Sequence, residues 1–122
     1  MSIHCFIDRS HSIVFTTLCG AVSFAQIERH AKRLVSNPNF EPTFSQIIDL
    51  RELSKSDVAF HQLNQFAKDC DPFSEASRRA LLTSTDFAFG MARMYQGLRG
   101  DPDNCMFFRD MTSARRWLGL DH

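Results

Sequence analysis

Charge of either sign is balanced along this chain, with fourteen Lys and Arg against fourteen Asp and Glu. Attraction to nucleic acid or to an anionic membrane therefore has no long-range source. The basic pairs Arg78-Arg79 and Arg115-Arg116 are read as solvated faces rather than phosphate grips. No stretch approaches the roughly 18 apolar residues of a membrane span. The opening residues, MSIHCFIDRS, lack the basic start and apolar core of a secretory leader. Cys5, Cys19, Cys70 and Cys105 are scattered, with no Cys-x-x-Cys pair, and free thiols in a reducing cytoplasm are the simplest expectation. The five histidines show no His-x-x-x-His spacing, and His30 and His61 are expected to be exposed. There is no Gly-x-Ser-x-Gly elbow, phosphate-binding glycine loop or dinucleotide fingerprint. The expectation is a protein with no metal, no cofactor and no enzymatic activity.

What is present is the material of one ordinary α/β domain, residues 1–122. At this length a chain buries roughly two-thirds of its unfolded surface. Phenylalanine is over-used, twelve against one Trp and one Tyr. The plain account is core filling; the sharper one is an apolar pocket or a partner surface.

Periodicity divides the chain into alternating strands and helices. Ile3–Ile7 alternates at period two, polar Asp8–His11 follows, and Ser12–Leu18 is β-branched and aromatic, so residues 3–18 read as an antiparallel hairpin stopped by Gly20. Ser23 and Gln26 have capping-box spacing ahead of a stripe of Phe24, Ile27, Ala31, Leu34 and Val35. Asn37-Pro38 ends that helix. Phe44–Leu50 is the next strand, followed by a polar loop. Ser56 or Asp57 is expected to cap a helix with the stripe Ala59, Leu63, Phe66, Ala67 and Cys70, broken at Asp71-Pro72. Arg79–Thr85 is a strand, and Asp86 caps a helix whose core face is read as Phe87, Met91, Met94, Tyr95 and Leu98. Gly90 inside it is read as a point of close packing. Gly97, Gly100 and Asp101-Pro102 close it. Cys105–Phe108 is the last strand. Asp110 or Thr112 starts a final helix with Ala114, Trp117 and Leu118 inward and Gly119 at its end. Strands separated by helices imply parallel crossovers. The expected architecture is a mixed, mostly parallel sheet of about five strands with an N-terminal antiparallel hairpin and about four helices.

One stretch carries a family likeness. Ile47–Val58, IIDLRELSKSDV, resembles the switch loop of STAS (anti-anti-sigma, SpoIIAA-like) domains, in which a strand ending in Asp-Leu-Ser leads to an Asp-Ser pair. Asp49 and Asp57 fall at the two aspartate positions. FAFGMARMYQ and MFFRDMTSARRWLG look like the uncharacterised SpoIIAA-like branch, and the likeness in order covers nearly the whole chain. It implies the SpoIIAA-like fold. In the family, phosphorylation of a loop serine switches partner binding, but that position is Val58, which has no hydroxyl. Ser54 and Ser56 stand nearby; serines before a helix are most often caps or turn formers.

Two functions from different classes follow. The first is a protein-interaction or regulatory module with an unidentified protein partner, acting through Ser54, Ser56 and Asp57 and through an exposed Phe89 beside Arg93. A homodimer is compatible with the sequence and not required by it. The second is a small apolar-ligand binder, by kinship in shape with lipid-binding Sec14-type domains. Its lining would be Phe87, Met91, Met94, Phe107 and Met111, around a cavity of at least ~300 Å³.

Overall fold

The computed structural model describes residues 2–74, 76–99 and 102–120, with the side chains of residues 70, 99 and 102 outside the description. The expected turn at Gly100 and Asp101 and the terminal His122 lie outside the described residues.

The hairpin forms as β1 (Ser2–Asp8) and β2 (Ile13–Val22), paired from Asp8↔Ile13 to Ser2↔Cys19. Its turn is held by Asp8, which accepts from the Ser10 hydroxyl (2.6 Å) and sits 2.8 Å from His11 Nδ1. These bonds, the Ser10 one foremost, lower the Asp8 carboxyl to about 2. Gly20 does not stop β2. The strand passes through it at φ 73°, with a register shift between Gly20 and Ala21, and runs on to Val22. That conformation costs an L-residue roughly 1–2 kcal/mol, which is why glycine suits the bulge.

Helix α1 (Phe24–Val35) starts on the expected capping box. Gln26 N donates to Ser23 Oγ, and Ser23 N donates to Gln26 Oε1 (2.8 Å). β3 (Ser45–Asp49) lies parallel to β2. The segment expected to be wholly a polar loop instead contains a short strand, β4 (Leu53–Ser56), parallel to the far end of β2. Only Leu53 of this strand is buried, so backbone pairing across the bulge forms it without a period-two signal.

Helix α2 (Phe60–Gln65) runs into one π-helical turn (Phe66–Cys70). Its cap is Ala59, whose N–H donates to Gln62 Oε1 (2.9 Å), and not Ser56 or Asp57. β5 (Arg79–Leu82) precedes α3 (Asp86–Arg99), and Thr85 rather than Asp86 caps it by accepting from Ala88 N. A 3-10 turn (Pro102–Asn104) leads to β6 (Cys105–Phe108). Asp110 caps α4 (Met111–Trp117) by accepting from Ser113 N (2.7 Å). That helix ends at Gly119 (φ 82°), where Gly119 N donates to Arg116 O and Leu120 N to Arg115 O, a Schellman closure.

The sheet order is β1-β2-β3-β5-β6, with β4 added to β2; only β1–β2 is antiparallel. Period two sorts its residues onto two faces. Leu18, Ile48, Leu81 and Cys105 face α1, α2 and α3. Ile13, Ile47, Ala80 and Leu82 face α4. A third cluster of Val14, Leu34, Phe40, Phe44 and Phe73 closes the end near the hairpin turn, with Phe73 edge-on to Phe40 at 5.1 Å.

Helix α3 presents a different stripe from the expected one. Ala88, Ala92 and Tyr95 are buried, with Met91 and Leu98 half-buried, while Phe87 and Met94 face outward. The alanines let the helix approach the sheet closely, and that outweighs burial of the larger side chains. Gly90 is not a close-packing point, since a Cβ there would meet nothing within 4 Å. Among the described residues no helix is long and apolar enough to cross a membrane.

Candidate functional site

Between α1, α2, α3 and the sheet lies a cavity of about 130 Å³. Ile27, Ala31 and Leu34 of α1, Leu63 and Phe66 across the α2 junction, and Met91 and Ala92 of α3 form its walls. Leu18, Ile48 and Leu81 form its floor. Away from a polar end the lining is mostly aliphatic or aromatic, because the inward positions of three amphipathic helices meet one apolar sheet face here. Small Ala31 and Ala92, opposite a helix only six residues long, leave the volume unfilled.

The inner end is polar and crowded. Arg79 starts β5 and points to the helical side like Leu81; its side chain is 2% exposed. Its Nη2 donates to Asp71 Oδ1 (2.6 Å), and its Nη1 donates to Tyr95 Oη, which in turn donates to Asp71 Oδ2. The guanidinium carbon lies 4.2 Å from the Phe73 ring centre. A charge buried this deeply is tolerable only when paired and hydrogen-bonded, and the triad meets that condition. The expectation that Arg79 belongs to a solvated basic pair is thus corrected; Arg78 alone is exposed, 4.0 Å from the Trp117 ring centre. Gln46 and Thr16 also line the cavity and bond to each other, Nε2 to Oγ1, at 2.9 Å.

Among the described residues, two buried side-chain polar atoms have no hydrogen-bond partner: Arg79 Nε and His30 Nε2. Both residues line the cavity. His30 was expected on an exposed face and is half-buried instead. Burial first, and the nearby Arg33 charge second, hold its imidazole below the ordinary value of 6.5.

Of the residues expected to line an apolar pocket, only Met91 does. Phe87 and Met94 face out, Phe107 packs against Phe89 at 5.2 Å, and Met111 belongs to the cluster under α4 on the other sheet face. Phe89 is 41% exposed, with the Arg93 guanidinium carbon 5.9 Å from its ring centre. Phe89, Arg93 and Phe107 are therefore brought together. Ser54, Ser56 and Asp57 lie on β4 and the chain just after it. Ser54 is exposed, and Ser56 Oγ accepts from Val58 N. Asp57 accepts from Phe24 N (3.0 Å), at the first turn of α1. Val58 packs against the core cluster. Asp49 anchors the loop: it accepts from Arg51 Nε (3.0 Å), Arg51 Nη2 (2.9 Å) and the Arg51 amide. Sequence reading placed Tyr95 on the core face of α3, where it lies, and missed Arg79, Asp71 and His30. The available signal was an arginine in phase with an inward-facing Leu81.

No protein-family model matches the chain, and no curated protein sequence matches it. Among solved structures it is similar to an uncharacterized protein of the DUF3478 family with a SpoIIAA-like fold from Shewanella loihica PV-4. The identity is 21%, over 96% of this chain and 94% of that one, with a TM-score of 0.66. A likeness at that identity speaks to fold alone. The chain has the SpoIIAA-like fold that Ile47–Val58 pointed to.

Proposed function

We propose that this SpoIIAA-like domain is a non-enzymatic binding protein that takes a small apolar group into the chamber beneath α1, α2 and α3. The observation that carries this reading is an unfilled, apolar volume of about 130 Å³ ending in a fixed polar triad. The volume falls short of the ~300 Å³ of pockets that enclose drug-sized molecules. It is close to the ~150 Å³ at which an apolar protein cavity takes up benzene. The occupant is therefore smaller than the lipid that kinship with Sec14-type domains suggests. The triad groups are engaged with one another, which suits a wall better than a catalytic centre. Cys5, Cys19 and Cys105 are not joined by a disulfide, and a cytoplasmic setting is part of this proposal.

The test is a titration with benzene followed by methyl NMR and thermal melting. Saturable shifts at lining methyls such as Leu18, Leu34, Leu63 and Leu81, and not at Leu82 on the other sheet face, are expected, with a rise in Tm, because a ligand that binds only the folded state stabilises it. If those methyls do not move saturably, the chamber is packing space and the reading is abandoned.

A second reading keeps the domain as an interaction module, favoured by α3, where Phe87, Phe89 and Met94 stand exposed. It expects a partner captured by the wild-type chain to be lost with Phe89→Ser plus Arg93→Glu. Capture that survives this pair, and also Ser54, Ser56 and Asp57 each changed to Ala, removes it.

A further inference from the structure

The apolar chamber does not stand alone. A second cavity of about 100 Å³ lies along α1, lined by Ile3, Gln26, Arg29, His30 and Arg33. Its helical residues fall at i, i+3, i+4 and i+7, so one face of α1 builds it. Ile3 and His30 belong to both cavities and form the wall where they meet. The two volumes are chemically opposite: one is apolar, the other carries two guanidinium side chains and no carboxylate in its lining. Among the described residues neither Arg29 nor Arg33 forms a salt bridge.

We propose, building on the chamber reading above, that the ligand is a small amphiphilic oxyanion: an apolar body of about six carbons in the chamber and an anionic head at Arg29 and Arg33. The location of free positive charge decides the orientation. Arg79, at the inner end, has its charge matched by Asp71 at 2.6 Å, so a second anion there would be buried beside a carboxylate. Arg29 and Arg33 are exposed, line the second cavity and, among the described residues, face no carboxylate in a salt bridge. His30 lies between them with a buried, unpartnered Nε2. With its pKa lowered by burial and then by Arg33, the imidazole can donate to a head-group oxygen through Nε2–H. Charge-assisted bonds of this kind are about twice as strong as neutral ones.

The experiment is calorimetric titration of the full chain with hexanoate, hexyl phosphate, 1-hexanol and acetate. Either hexyl anion is expected to bind about ten-fold more tightly than 1-hexanol, and acetate, which lacks the apolar body, is expected not to bind. The stronger of the two hexyl anions identifies the head group as carboxylate or phosphate. Arg29→Gln with Arg33→Gln, both at exposed positions, should bring the anions to the level of 1-hexanol and leave 1-hexanol unchanged. Anions no tighter than 1-hexanol, or anion binding indifferent to the double substitution, would overturn the proposal while leaving the chamber reading in place. If 1-hexanol and benzene also fail to bind, both fall together.

Discussion

His30 shows what a single side chain does when its helix puts it on the wrong side for its charge. Its imidazole sits between two cavities, surrounded by Arg29 and Arg33 on its own helix and by Arg79, Asp71 and Tyr95 across the chamber. Burial and then the Arg33 charge depress its pKa. Between that lowered folded value and the unfolded value of about 6.5, the unfolded chain binds more protons than the native one, so stability rises with pH. The contribution is complete above about pH 6.5 and is lost as pH falls through the folded value. Urea unfolding of wild type and His30→Gln at pH 7.5 and pH 5 should therefore show a larger acid loss in the wild type. Equal losses would mean that the imidazole is solvated. Further loss follows from the depressed Asp8, Asp49 and Asp110 carboxyls. Their support is present above about pH 3.9 and disappears as each protonates; for Asp8 this is near pH 2.

At the scale of elements, the tie between Arg79, Asp71 and Tyr95 matters most. It joins the first residue of β5, the residue after the π-helical turn and the buried face of α3. Period-two patterning places Arg79 inward, and nothing local supplies its counter-ion. The π-helical turn widens the end of α2, and Asp71 follows it directly. Arg79→Met removes the guanidinium from beside the buried Asp71 carboxylate and is expected to cost about 3–5 kcal/mol. Combining it with Asp71→Leu removes both charges and should recover most of that loss. Denaturant midpoints for the single and double variants measure this, and additive losses would show that the pair is not the coupling. The caps at Ser23-Gln26, Asp110 and Gly119 were legible, while those at Ala59-Gln62 and Thr85 were as local but hidden beside better-known capping residues. A distant partner left no signal at all: Asp57, read as a cap for α2, instead serves α1, 33 residues earlier in the chain.

At the scale of the whole molecule, the helices are shared unequally. Three cover one sheet face and α4 alone covers the other. The crowded face carries the chamber because α1 and α3 contribute alanines where they converge and α2 is short. The abundance of phenylalanine pointed to a pocket, yet most of the expected lining lies elsewhere: Phe40, Phe44 and Phe73 fill a separate cluster, and Phe87 and Phe89 reach solvent. Composition counts rings without saying where three helices leave a gap.

The sequence by itself determined the order of the main strands and helices and the hairpin, and its resemblance to STAS domains pointed to the SpoIIAA-like fold. The order and the hairpin depend on periodicity, caps and turn residues within a few positions of one another. The tertiary structure alone decided β4, the outward turn of Phe87 and Met94, the pairing of Arg79 with Asp71 and Tyr95, and the two cavities meeting at His30. Each of these depends on which surfaces pack together across tens of residues. A strand made by backbone pairing, an ion pair closed between elements and an unfilled volume leave no periodic trace in the chain that forms them.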